Sequence, residues 1–325
     1  MKSKVIIWVA AIQLVVAVFL GVKIYKKTKI LGTSAIVTPV DKKGISSNPD
    51  SKLENFYEPK SNSVEPDHAP WLEEKIEYYI NSDALREVRE YENEKPDSTF
   101  RIVAIGDSFT FGASVQLKDN YPKQLETLLN NKYGENQNFE VINLGVRGYD
   151  IQFASERYLL RGEKYNPDLI LWLLRGDDFS QIENIMRPLT DQFLDELHAK
   201  NESGYFVSDD GIVSYPWYEK ALKIMHESYD EQETLDYQTA VMNKFGRYDN
   251  KKIVILTYPS TQEKYDQRMR ELAKSKDNVY FYDGLANPNK TANVQPDGHP
   301  TARGYTLMTN SMLNYLEKNS LIPCN

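Results

Sequence analysis

The segment Asp168–Leu174 reads DLILWLL, an unbroken apolar run behind a single acid. Such a run, with no alternation of polar and apolar positions, is the mark of a strand covered on both faces. Four more segments read as strands: Arg101–Ile105 (RIVAI), Phe139–Leu144 (FEVINL), Lys252–Tyr258 (KIVILTY) and Val279–Tyr282 (VYFY). Between them lie stretches with helical character. Tyr121–Asn131 carries Leu125, Leu128 and Leu129 at helical spacing, and Ile151–Arg161, Gln262–Lys274 and Thr301–Lys318 also read as helices. Strands alternating with helices imply a parallel sheet covered on both faces, an α/β architecture. The rhythm breaks between Phe179 and Asn250. This stretch contains a hairpin signal, Tyr205–Val207 then Ser208-Asp209-Asp210-Gly211 then Ile212–Tyr215, and helical segments at Gln181–Lys200 and Tyr218–Lys244. It is read as an insertion, 179–250, in one α/β domain running from 71 to 325. No internal repeat is visible.

The mean hydropathy of −0.57 conceals one apolar segment. Val5–Val22 reads VIIWVAAIQLVVAVFLGV, without a charge and with Gln13 as its one strongly polar residue. Eighteen residues in a helix span about 27 Å, close to the hydrocarbon thickness of a bilayer. Lysines flank it on both sides, and no small-residue cleavage site directly follows Leu20. The expectation is an uncleaved N-terminal transmembrane anchor within residues 1–29. More lysines follow the run than precede it, which by itself favours a cytoplasmic domain, although long downstream domains cross membranes regardless. Residues 30–70, rich in Ser, Pro, Asn, Asp and Lys and without an apolar period, read as a flexible tether. The formal net charge of −8 lacks the basic footprint of a non-specific nucleic-acid binder. The single cysteine, Cys324, excludes an intrachain disulfide and any multi-cysteine metal site.

Four short segments carry chemistry, and each falls at or just after the C-terminal end of an expected strand or in a loop. Ligands bind at that edge of open α/β sheets. Gly106-Asp107-Ser108-Phe109-Thr110-Phe111-Gly112 places a serine at a strand-to-helix turn, where it is either an exposed nucleophile or a helix cap. It lacks the Lys-Ser/Thr ending of a phosphate loop, and no other motif implies a cofactor. Asn143-Leu144-Gly145-Val146-Arg147-Gly148-Tyr149 offers glycines for close backbone approach or for a turn. Arg175-Gly176-Asp177-Asp178-Phe179 pairs two acids that either do acid–base or metal chemistry or cap a helix. Asp297-Gly298-His299-Pro300 sets a histidine two residues after a carboxylate, ahead of a helix, as a base with its orienting partner would be. No His, Cys or acid spacing fits a metal site.

Together these segments resemble the SGNH hydrolase family, also called GDSL-type esterases and lipases, over roughly residues 75–318. Gly106-Asp107-Ser108-Phe109 is similar to the family's first block, with Ser108 in the nucleophile's place. Asn143–Gly148 resembles the second, with Gly148 lending a backbone N–H to the oxyanion hole. Gly176-Asp177-Asp178 resembles the third, and Asp297–Pro300 the last, with His299 as base. The run Ile80–Arg86 followed by Phe100-Arg101-Ile102 is similar to the upstream segment of one bacterial branch. The resemblance implies a three-layer α/β/α flavodoxin-like fold and hydrolysis of esters through an acyl-enzyme, with Ser108, His299 and Asp297 catalytic. Anchored members commonly work outside the cytoplasm, often on acylated glycans, so the expected partners are an ester of a small molecule, glycan or lipid, and the membrane.

Two positions depart from the family pattern. Asp177 stands where an oxyanion-hole Asn is usual, and an ionised carboxylate accepts where an amide donates. The hole is then weakened, rebuilt with another donor, or completed by a protonated Asp177. The family's Asp falls three residues before the His, where this chain has Pro296; Asp297 is two before, with Asp283 in reserve. Two rival functions share the fold: an O-acyltransferase acting on a surface glycan, and a glycan-binding protein whose catalysis has decayed.

Overall fold

The computed structural model describes residues 53–248, 251–288 and 292–324. Its centre is a five-stranded parallel sheet. The strands are β3 (Thr99–Gly106), β4 (Asn138–Asn143), β5 (Leu169–Leu174), β8 (Lys252–Thr257) and β9 (Val279–Tyr282), in the spatial order β4-β3-β5-β8-β9. The expected strands are all present, each within about two residues of its expected bounds. Every residue of β5 is buried. Its alternate side chains divide between two cores, because successive residues of a strand point to opposite faces. Leu169, Leu171 and Leu173 pack with α2 (Tyr121–Tyr133) and α9 (Ala302–Lys318), whose Leu125, Leu129, Tyr305, Met308 and Met312 close one face. Ile170, Trp172 and Leu174 face the opposite way. There Phe153 of α3 (Ile151–Arg157), Phe245 of α7 (Glu231–Tyr248) and Met269 of α8 (Glu263–Lys274) close the second core. This is the three-layer α/β/α arrangement the sequence implies, with helices on both faces of a parallel sheet.

The strand order has a functional consequence. The chain leaves β3 for one edge of the sheet, forms β4, and returns to the other side of β3 to form β5. The loops after β3 and β5 therefore diverge and leave a crevice between them, where open α/β sheets bind ligands. The short helices α1 (Ser108–Phe111) and α4 (Gly176–Ser180) open at that crevice.

The expected tether, 30–70, and the start of order near Trp71 need correction. Residues 53–70 are part of the folded domain. Leu53 and Phe56 are buried in the second core. Glu58 pairs with Arg157, and with Arg161 at 2.8 Å. Ser63–Pro66 forms β1, antiparallel to β2 (Glu77–Ile80). The apolar residues here are single and aperiodic, so no helical or strand period betrays them; they fill gaps in a core made by other segments. The remainder of the tether and the apolar run Val5–Val22 lie outside the described residues. Among the described residues, no helix is long and apolar enough to cross a membrane.

The inserted stretch also divides differently. The expected single helix Tyr218–Lys244 is two helices, α6 (Pro216–His226) and α7, broken at Glu227–Asp230. Leu235, Val241, Met242 and Phe245 place α7 in the second core, so it is a layer helix and not part of an insertion. The addition proper is α5 (Glu183–Ala199), the β6–β7 hairpin (Phe206–Val207 with Val213–Ser214) and α6. It holds its own small core of Ile182, Ile185, Met186, Phe193, Ala221 and Met225. Because Phe56 is buried in the second core, Phe56→Ala leaves a cavity among Tyr149 and Phe153, whose rings lie 5.7 and 5.4 Å away. The expected loss is about 3 kcal/mol, read by chemical denaturation; an unchanged midpoint would return this segment to tether status.

Candidate active site

Ser108 is the first residue of α1, immediately after β3. The turn that presents it is tight. Gly106 has φ +147°, and a Cβ there would lie 2.7 Å from the Leu173 carbonyl oxygen of the neighbouring strand and 2.5 Å from Thr110 Oγ1. Only glycine fits. Asp107 caps α1, its carboxylate accepting from the Phe109 N–H at 2.8 Å. From behind, the buried Arg86 guanidinium donates to the carbonyls of Phe111, Gly112 and Val115. The turn is thus fixed at both ends.

Three side chains from two distant segments lie in one line. His299 Nε2 is 2.8 Å from Ser108 Oγ, and His299 Nδ1 is 2.8 Å from Asp297 Oδ2. Asp297 Oδ1 also accepts the backbone N–H of His299 at 3.2 Å. Gly298, with φ +87°, makes the sharp bend that lets a carboxylate two residues back reach the imidazole. Burial pushes the Asp297 carboxyl upward, but its hydrogen bonds and charge interaction with His299 outweigh this and hold it below the usual carboxylate value. The loop is tied to the additional hairpin, since the Pro296 carbonyl accepts from the Val213 N–H at 2.9 Å. Asp283 is elsewhere, bonded to Arg270 at 2.8 Å.

Gly148, after β4, lines the same cavity as Ser108. Neither backbone N–H has an acceptor among the described residues. Asp177 also lines the cavity, and its half-exposed carboxylate pairs with Arg175 at 3.1 Å. Arg175 is the residue that sequence reasoning left without a role. Its guanidinium lies 4.0 Å from the centre of the Phe109 ring and 3.7 Å from Asp107 Oδ2, among three carboxylates. Its own backbone N–H donates to Asp178 Oδ2 at 2.8 Å. Burial, reinforced by the charge of Asp107, pushes the Asp178 carboxyl well up. Burial also raises Asp107, against the pull of Arg175. The signal in the sequence was position alone: Arg175 follows β5 directly, at the crevice.

The cavity holds about 580 Å³. One wall comes from the segment expected as tether, through Asp67 and His68, and from Trp71 just after it; another comes from the added hairpin and α6, through Tyr205, Tyr215, Trp217 and Tyr218. Trp71 and Tyr205 meet edge to face, with ring centres 5.9 Å apart. A second cavity of about 730 Å³ adjoins it, and Arg147, Gly148, Tyr205, Tyr215, Trp217 and Tyr218 line both. Among the described residues, no group of three or more His, Cys, Asp or Glu side chains has a geometry that could hold a metal ion.

A family model described as the GDSL-like lipase/acylhydrolase family matches residues 104–307. The chain is also similar to three solved structures. A psychrotrophic esterase, EstA, from Pseudoalteromonas sp. is 13% identical, with 70% of this chain and 100% of that chain covered and a TM-score of 0.44. An acetyl xylan esterase from Geobacillus stearothermophilus is 16% identical, with 69% and 96% covered and a TM-score of 0.43. A two-domain esterase active on acetylated mannans is 13% identical, with 70% and 51% covered and a TM-score of 0.43. No curated protein matches.

Proposed function

The chain belongs to the GDSL-like lipase/acylhydrolase family and is a carboxylic ester hydrolase; from that premise we propose that it works through an acyl-enzyme on Ser108 and takes acylated glycans as substrates. The observation that carries the mechanism is the line Ser108 Oγ, His299, Asp297, with both contacts at 2.8 Å. In this reading His299 Nε2 removes the proton from Ser108 as Oγ bonds to the ester carbonyl carbon. The carbonyl π electrons move to oxygen, and the Ser108 and Gly148 N–H groups hold the oxyanion. The tetrahedral centre collapses, the C–O bond to the alcohol breaks, and His299 returns the proton to the departing oxygen. Water, deprotonated by His299, then attacks the acyl carbon, and Ser108 leaves with the proton. Asp297 accepts from Nδ1–H throughout, fixing the tautomer and stabilising the imidazolium.

The glycan reading rests on the aromatic lining that the two adjoining cavities share. Tyr205, Tyr215 and Trp217 line both, and aromatic side chains there suit sugar rings that extend past the scissile ester. A fluorophosphonate is expected to label wild-type protein at Ser108, and Ser108→Ala to abolish both labelling and hydrolysis of nitrophenyl acetate. Absence of labelling on folded protein would remove the nucleophile assignment. Trp217→Ala is expected to lower kcat/KM on an acetylated oligosaccharide by roughly 3–10-fold and to leave nitrophenyl acetate nearly unaffected. Equal effects on both would argue against a glycan subsite.

Asp177 bears on the rate. Its carboxylate offers no donor to an oxyanion and occupies Arg175, the cation nearest to it. Asp177→Asn supplies an amide donor and frees that guanidinium. The expected rise in kcat is about tenfold, below the roughly 10²–10³ of an optimally placed donor. A kcat that stays level or falls would count against this account.

We further propose that Val5–Val22 anchors the enzyme in a membrane, on the strength of its length and lack of charge, with the hydrolase domain on the extracytoplasmic side, as the resemblance to anchored family members implies. The full chain should stay in the carbonate-washed membrane fraction, and a chain lacking residues 1–29 should not. Release of the full chain by carbonate would refute the anchor.

A further inference from the structure

Tyr57 lies behind the oxyanion side of the cleft. Its hydroxyl donates to the Arg147 carbonyl oxygen at 2.7 Å. That carbonyl shares a peptide group with the Gly148 N–H. In a planar trans peptide the C=O and N–H point in opposite directions, so fixing one fixes the other. The restraint matters at this position because Gly148 is exposed, has no side chain to brace it, and sits in the left-handed region at φ +81°. A Cβ at Gly148 would lie 2.7 Å from the Tyr57 hydroxyl oxygen, so the hydroxyl rests against the glycine itself.

Tyr57 is held firmly. Its ring meets Tyr149 edge-on at 5.2 Å and Phe153 at 5.8 Å, and the Arg187 guanidinium lies 4.3 Å from its centre. Its carbonyl accepts from the Tyr149 hydroxyl. The hydroxyl also lies 3.2 Å from Glu183 Oε1, a longer contact than the one to Arg147. Burial pushes the Glu183 carboxyl well up, against the pull of Arg187. Of the two acceptors for the single tyrosine proton, the Arg147 carbonyl is the nearer.

We propose that Tyr57 is a positioning residue for oxyanion binding: its hydroxyl holds the Arg147–Gly148 peptide so that the Gly148 N–H faces the reacting carbonyl. The inference rests on acyl transfer at Ser108. Tyr57→Phe keeps every ring contact and removes one oxygen. Expected is a fall of about tenfold in kcat on nitrophenyl acetate with KM changed less than twofold. The affinity of an alkyl boronic acid, which bonds to Ser108 Oγ and sets an oxygen where the oxyanion forms, should fall by a similar factor. Replacing Tyr57 with 4-aminophenylalanine, which restores an N–H donor at the ring's end, should recover most of the loss. Circular dichroism and Tm establish that each variant is folded. Unchanged kcat and boronate affinity in Tyr57→Phe would overturn the inference, and so would an equal loss in the 4-aminophenylalanine variant. If wild-type protein shows no Ser108-dependent hydrolysis at all, the acyl-enzyme reading fails instead.

Discussion

The parallel pairing of β3 with β5 is the constraint on which the site depends. It sets Gly106 opposite Leu173 at the end of both strands. The fit is close enough that a methyl group at Gly106 would meet the Leu173 carbonyl at 2.7 Å. Ser108 and Arg175 each follow within two residues of this pair, so the serine turn and the Arg175 loop start from points that backbone hydrogen bonds set. β4 and β9 then bring Gly148 and His299 to the same edge from the two margins of the sheet. A shift of register in β5 would carry Arg175, Asp177 and Asp178 away together, while the contact between Ser108 and His299 spans the sheet and tolerates no such slip.

Buried arginines fix the loops that the sheet alone leaves free. Arg86 has no carboxylate partner among the described residues; it spends its donors on three carbonyls around the C-terminal end of α1 and lies against the Tyr78 and Phe111 rings. Burial pushes its pKa down to about 10, still high enough to keep it charged near neutral pH. Arg157 donates to Glu58 and to the Ala84 carbonyl, joining the segment before β1 to the turn that carries Arg86. The N-terminal segment, the Asn81–Arg86 turn and α1 are therefore one connected unit. This explains why a stretch with no secondary-structure period is nevertheless ordered: its order comes from charge-assisted hydrogen bonds and single apolar plugs.

The sheet and its strand sequence were legible because a strand buried on both faces must be apolar throughout, as Leu169–Leu174 is. The site was legible in part for a different reason. Ser108, Gly148, Asp177 and His299 follow strand ends, and topology brings strand ends together whatever the side chains. Residues 53–70 were illegible because Leu53, Phe56 and Tyr57 act singly. The ring partners of Phe56 and Tyr57 are Tyr149 and Phe153, far along the chain, and no local pattern encodes that distance. Tyr218–Lys244 misled because its helical spacing is real in both halves, and only the packing of Leu235 and Phe245 on the sheet shows that the second half belongs to a different layer.

The spacing of Asp297 and His299 shows how a departure in sequence is absorbed in geometry. With the carboxylate one residue nearer than in the family pattern, the chain must turn within a single intervening residue. Gly298 supplies that turn with φ +87°. The carboxylate then serves the histidine twice, through its backbone N–H and through its ring. Pro296, which occupies the acid's usual place, has a carbonyl that accepts from the N–H of Val213 in the added hairpin. The same two-residue change thus couples the base to the element that carries Tyr205 and Tyr215 onto the cleft wall. Tyr215 completes the link, its hydroxyl lying 3.4 Å from Asp297. The cleft wall that carries Tyr215 and the loop that orients His299 thus share two hydrogen bonds, one through Pro296 and one through Asp297.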